Sequence, residues 1–192
     1  MRQRKVTISY TAFKIMIMAV VDVYKTETLV DLYGNKKGLD YIIDLAFPSQ
    51  KVKRKYSEAK PGKGTDFDGC FNFKNLGDFH SHTDYQGTAT NTNPGPGDLE
   101  YLRINPGKIS IIASVKKSSS KYEGWHHDVT TDSIIGLWDT WKGKLKIRLR
   151  GYYYDKRKNN YPCLELDLTK DLKDYFKEES LFPLKKKSDG GK

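Results

Sequence analysis

Gly77-Asp78-Phe79-His80-Ser81-His82, followed after a loop by Pro94-Gly95-Pro96-Gly97-Asp98, carries two of the chain's four histidines one residue apart. Leu76 and Phe79 flank Gly77 and predict a short strand that runs into a polar loop rich in Gly, Thr and Asn. Alternate residues of a strand point to the same face, so His80 and His82 can converge on one ion. Imidazole is a good zinc ligand, and a catalytic zinc site takes a third protein ligand while one position stays open. Two carboxylates can supply that third ligand: Asp84, close by, and Asp98, beyond the Pro-Gly-Pro-Gly run. A His-x-His pair that binds nothing is the plain alternative.

Working outward, Gly97-Asp98-Leu99-Glu100-Tyr101-Leu102-Arg103-Ile104 has helical spacing, with Leu99, Leu102 and Ile104 inward. Asp98 falls in its first turn, where the helix dipole favours a carboxylate. Asn105-Pro106-Gly107 ends the helix, and Lys108 to Val115 predicts a core strand. Upstream, Lys5 to Ser9 alternates as a first strand, and Tyr10 to Tyr24 predicts a buried helix capped by Ser9 or Thr11. Thr26 to Gly34 and Leu39 to Phe47 predict a hairpin, stopped by Pro48. Residues 49–66 are basic and polar and predict a flexible excursion, and residues 67–73 a short strand before the histidines.

Downstream, residues 116–122 and the Trp125-His126-His127-Asp128 stretch predict polar loops, the histidine pair exposed. Strands are expected at Ser133 to Trp141, Leu145 to Tyr154 and Tyr161 to Leu168, and a short amphipathic helix at Leu172 to Phe176. The Tyr152-Tyr153-Tyr154 run reads as a strand with one buried tyrosine face. The pattern predicts an α/β fold: a single domain over residues 1–180 with a mixed, curved β-sheet and helices packed on it. Residues 181–192 are expected to form a basic, disordered tail.

Composition narrows the classes. A chain of 192 residues is long enough to bury a core of its own. The longest apolar run, Phe13 to Val23, is broken by Lys14 and Asp22 and is too short to span a bilayer, so no membrane role is expected. Arg2, Arg4 and Lys5 are not followed by a signal-peptide pattern, and a cytoplasmic location is expected. Cys70 and Cys163 lie far apart and read as reduced, ordinary thiols. The formal net charge of +10 comes with basic runs at 51–55, 142–150, 156–158 and 185–187. Such a surface can attract an acidic protein or nucleic acid, or simply be solvated.

With Glu27, His80, His82 and Asp98 placed on these elements, the chain resembles the JAMM/MPN+ (JAB1/MPN/Mov34) zinc metalloprotease family. Glu27 opens Glu-Thr-Leu-Val-Asp-Leu-Tyr-Gly, similar to the family's Glu-x-x-Gly-x-Leu-x-Gly, with Val30 at the usual glycine. Gly77 to His82 is similar to Gly-x-x-His-Ser-His, and Pro94 to Leu99 to Pro-Ser-x-x-Asp-Leu. The resemblance covers roughly residues 5–155 and implies a cytidine-deaminase-like layout. It implies Zn2+ held by His80, His82 and Asp98, with Glu27 as general base for hydrolysis of a peptide or isopeptide bond. The substrate it implies is a peptide or a conjugate of a ubiquitin-like protein.

Residues 83–97 make a longer loop than the family carries, and Gly95 stands at its serine, whose hydroxyl helps hold the oxyanion. Thr92, or Thr90, Asn91 or Asn93, is the expected substitute donor. A non-catalytic MPN-type scaffold is the alternative that Gly95 raises. Asp78 to Thr83 also resembles the opening motif of PHP-type phosphoesterases, and His80 to Asp84 that of metallo-β-lactamases. The former needs more histidines, and in the latter Tyr85 replaces the last one.

Overall fold

A seven-strand ring, not an open sheet, is the frame of the computed structural model. It describes residues 3–23, 26–49, 52–55, 58–61, 73–83, 91–119, 124–128, 130–140 and 143–181. The order is β1 (Lys5–Ile8), α1 (Tyr10–Asp22), β2 (Leu29–Lys37), β3 (Asp40–Pro48), β4 (Val52–Lys55), β5 (Glu58–Pro61), β6 (Lys74–Thr83) and α2 (Pro96–Ile104). Then come β7 (Ile109–Ser118), β8 (His126–Asp128), β9 (Ser133–Thr140), β10 (Gly143–Tyr153), β11 (Cys163–Leu168) and α3 (Lys170–Leu181).

The spatial order is β11-β1-β3-β2-β6-β7-β10-β9-β8, with β11 also paired to β10. Strands β11, β1, β3, β2, β6, β7 and β10 therefore close on themselves, and β9 and β8 extend from the other half of β10. Closure is made by two residue pairs, Gly151 with Leu164 and Tyr152 with Cys163. The sheet is mixed: β1 runs parallel to both β11 and β3, and β6 parallel to β7. Where a mixed, curved sheet was expected, the mixed sheet closes into a ring. A mixed α/β architecture, with three helices among the described residues, stands.

Helix α1 forms because an almost unbroken apolar run is started by a good cap. The Ser9 hydroxyl accepts from Ala12 N–H at 3.2 Å and donates to the Asp44 carbonyl at 2.8 Å, which ties the helix start to β3. Ala12, Phe13, Met16, Ile17 and Val20 are buried and join the main core with Val6, Ile43, Phe79, Ile111 and Ile147. Trp125 packs edge-on against Phe13, ring centroids 4.8 Å apart. Only glycine fits at 136, since a Cβ there would enter the Trp125 ring.

The strands divide their residues between two faces. Phe79 of β6, Ile109, Ile111, Ala113 and Val115 of β7, and Leu145, Ile147 and Leu149 of β10 join the main core. The intervening residues face out, where α2 covers them: Leu102, Ile112 and Tyr152 form a second small cluster with Tyr101, Tyr154 and Tyr161. Tyr152 and Tyr153 are both buried but belong to different clusters, so the tyrosine run serves two faces and not one.

Other expectations change in detail. Residues 116–118 continue β7, because Lys116, Lys117 and Ser118 pair with Lys146, Leu145 and Lys144. His126 to Asp128 form a short edge strand on β9, not a loop. Part of the basic excursion is a separate hairpin of β4 and β5. Ile104 is exposed although Leu102 is buried. Helix α3 is longer than Leu172 to Phe176. Residues 67–72, Cys70, Asp84, Thr90 and the tail beyond residue 181 lie outside the described residues.

Candidate metal centre

Strand β6 is bent into place at Gly77. Its φ of 147° lies outside the range L side chains readily adopt, and a Cβ there would collide with the Ile109 carbonyl. The pairing with β2 shifts register at that point, between Leu32 and Tyr33. Beyond the shift Phe79 is in the core, while Asp78, His80 and His82 share the outer face.

Helix α2 supplies the carboxylate. Its N-cap, Gly95, has no side chain to cap the helix, and Pro96 occupies the first helical position. Asp98 reaches back so that Oδ2 accepts the Gly95 N–H at 2.7 Å, which fixes the carboxylate over β6. His80 Nε2 lies 3.2 Å from Asp98 Oδ1, and His82 Nε2 lies 3.6 Å from Asp98 Oδ2. The three ligand atoms fall within 4.8 Å of one another. His80 Nε2 is buried and makes no hydrogen bond despite its short distance to Asp98.

That geometry fits a zinc ion. Tetrahedral bonds of about 2.0–2.1 Å put neighbouring ligand atoms roughly 3.3 Å apart. The observed separations of 3.2 and 3.6 Å bracket that value. Two imidazoles and one carboxylate are also a common protein ligand set for catalytic zinc.

The other ring nitrogens are held. Asp78 Oδ1 lies 3.2 Å from His80 Nδ1 and accepts from Ser110 Oγ at 2.7 Å. His82 Nδ1 lies 3.2 Å from the Asn91 carbonyl, a geometry in which Nδ1–H donates. Both histidines are therefore oriented with Nε2 toward Asp98, as carboxylate–histidine pairs do in metal sites. Asp78 was not among the residues singled out as ligands or catalysts. The signal was present, since it sits two residues before His80 on the same strand face.

Burial works against a charged His80, but the Asp78 and Asp98 carboxylates outweigh it and raise its pKa to about 10. Burial likewise pushes the Asp98 carboxyl up, yet His80, His82 and the Gly95 N–H hold it well below the usual range.

Glu27 precedes β2, the strand paired with β6. Leu29 pairs with His80, Ser81 N–H donates to the Thr28 carbonyl at 3.3 Å, and Thr28 N–H donates to Ser81 Oγ at 3.0 Å. Half-buried Glu27 lies two residues before Leu29, just beyond the last backbone bond between these strands. Gly95 is at the mouth of the site through Asp98. Thr92 is buried and hydrogen-bonded to Tyr152 beside the cluster. His126 and His127 are exposed on β8, four strands from β6.

No protein-family profile matches the chain, and no curated protein matches it. Similar solved structures include these two. Protein DSY2949 from Desulfitobacterium hafniense has a TM-score of 0.53 at 15% identity, covering 89% of this chain and 97% of its own. AF2198, a JAB1/MPN domain protein from Archaeoglobus fulgidus, has a TM-score of 0.42 at 18% identity, covering 84% and 98%. The likeness to the first is one of fold. Among the described residues no helix is long and apolar enough to cross a membrane.

Proposed function

We propose that the protein is a zinc-dependent peptidase or isopeptidase of the JAMM type, acting in the cytoplasm on a peptide or a ubiquitin-like conjugate. The observation that carries this reading is the convergence of His80, His82 and Asp98 within 4.8 Å around a buried His80 Nε2 that has no hydrogen bond. Zinc bound there would supply Lewis acidity, polarising a scissile carbonyl and bringing the pKa of water toward neutrality.

The chain's own residues do the rest. Asp78, held by Ser110, orients His80, and the Asn91 carbonyl orients His82. Glu27 takes a proton from the attacking water and returns it to the leaving amine. Thr92 is tied to Tyr152, which leaves the place of the family's oxyanion donor to backbone and loop groups around Gly95.

One observation favours a second reading, a catalytically weak or inactive MPN-type scaffold. Gly95 offers no hydroxyl, and its N–H is already given to Asp98. A PHP-type phosphoesterase gains no support from His126 and His127, which stand on the far edge strand.

The test is the zinc content of purified protein by elemental analysis, followed by peptide and isopeptide hydrolysis. About one zinc per chain is expected, absent in His80→Ala and in Asp98→Ala. Glu27→Gln should keep the metal and lose hydrolysis on the order of a hundredfold or more. Zinc retained by Asp98→Ala would move the third ligand elsewhere. A protein that takes up no zinc on reconstitution would remove the enzyme reading and leave the scaffold.

A further inference from the structure

A groove of ≈ 340 Å³ opens on the same outer face as the metal cluster, beside it. Its cations are Lys116 of β7 and Lys146, Arg148 and Arg150 of β10; Asn91 and Thr92 border it toward the histidines. The three from β10 alternate with core residues Ile147 and Leu149, so successive cations stand roughly 6.8 Å apart along the strand. Lys116 is paired directly with Lys146, an arrangement of like charges that destabilises a sheet. Buried Arg150 Nε has no hydrogen bond. Among the described residues lining the groove there is no carboxylate. Among the described residues, Asp128 lies 3.9 Å from Arg148 and is already bound by Thr130 and Thr131, and Asp98 stands at the metal cluster.

Register fixes where the groove lies relative to the chemistry. Ser114 is paired with His82 on one side and with Arg148 on the other. Two strand spacings therefore put Arg148 about 10 Å from His82 along the sheet. Asn91 belongs to both places, its carbonyl on His82 Nδ1 and its side of the loop on the groove. An extended peptide covers that distance in about three residues.

We propose that this groove is the specificity subsite of the peptidase proposed above, and that it takes an acidic segment of the substrate. Asp or Glu side chains about three residues from the scissile bond engage Lys116, Lys146, Arg148 and Arg150. The proposal rests on the hydrolase reading for its place in a reaction, but not for the binding itself. Acidic peptide is favoured over single-stranded nucleic acid because no aromatic ring is among the described residues lining the groove, and unstructured nucleic acid is usually held by base stacking.

The experiment is fluorescence anisotropy with two labelled peptides, one bearing a Glu-Glu-Asp segment and one its Gln-Gln-Asn counterpart. It uses the full chain carrying Glu27→Gln, so that bound peptide is not cut. The acidic peptide should bind at least about tenfold more tightly at low salt. That preference should vanish near 1 M salt, where screening acts within about 3 Å. It should also vanish in Lys116→Gln/Arg148→Gln, a variant whose unchanged zinc content shows that fold and metal cluster are intact. Equal affinity for the two peptides would overturn the proposal even if hydrolysis is found. So would a single-stranded oligonucleotide of equal charge that binds more tightly than the acidic peptide. Selective, charge-dependent binding without any cleavage by the unmutated chain would uphold the groove and fail the hydrolase reading alone.

Discussion

The two faces of β10 lie a side chain apart and follow opposite rules. Inward, Leu145, Ile147 and Leu149 are buried among Ile111, Val115 and Ile134, apolar and close-packed. Outward, Lys146, Arg148 and Arg150 crowd together, and two strands away His80 of β6, with Asp98 of α2 over it, holds ionisable groups largely out of water. The inner face makes the ring stable whatever the outer face carries. Charge and buried polar atoms, which cost stability unless partnered, can accumulate where closure does not depend on them.

The sharpest way to break that comparison is to damage the inner face alone. Phe13→Ala removes a ring that is 2% exposed and packed edge-on against Trp125. It should cost about 3–5 kcal/mol in denaturant unfolding, while protein that remains folded still binds zinc. Metal loss in step with the stability loss would mean that the two faces are coupled.

Next in size is a change that should add function. Gly95 has φ −77°, and a Cβ there would meet only Asp98 Oδ2, at 3.5 Å. Gly95→Ser therefore fits without strain and should raise hydrolysis on the order of a hundredfold by supplying an oxyanion donor. Its effect on stability should be only a few tenths of a kcal/mol. Unchanged turnover would show that the loop already provides that donor.

Asp78→Asn sharpens the comparison within the outer face. It removes the charge that orients His80 and should weaken zinc binding about 10–100-fold in a competition titration. The melting temperature of the metal-free protein is the control that separates lost affinity from lost fold.

The smallest effect belongs to a seam away from both faces. Asp167 on β11 accepts from Lys5 at 2.7 Å and from Lys173 at 2.6 Å. Burial pushes its carboxyl up, but the two ammonium groups prevail and its pKa is lowered. With the folded value depressed, its contribution is present above the unfolded carboxylate range and lost as pH falls through the folded value. For a partly exposed group this is under about 1 kcal/mol. Acid unfolding of Asp167→Asn should lack that component and match the unmutated chain at neutral pH.

How far these features can be read without a structure depends on their range in sequence. The convergence of His80 and His82 needs only alternation along one strand, and the position of Asp98 only the first turn of a helix. The hairpin of β2 and β3 and the cap on α1 are equally local. Ring closure is invisible because it joins Gly151 to Leu164 across the ring while β1 pairs residues some 160 positions away. Lys116 to Ser118 look like a loop because they are polar, and become strand only because β10 lies alongside. The groove is hidden for the same reason. Its cations form a plain basic run until the register shows that those of β10, on every second residue, share the outer face with the histidines.

Placing β1 between β3 and β11 also sets the order in which the protein can form. Lys5 waits for Glu165 while everything carrying the metal ligands is synthesised between them. Until the last strand arrives, β1 exposes an unpaired edge, a template for intermolecular pairing. Contacts this distant in sequence also make for slow folding. A chain cut short before Cys163 would hold all three ligands and still lack its closing strand, leaving the β1 edge open to pairing with another molecule.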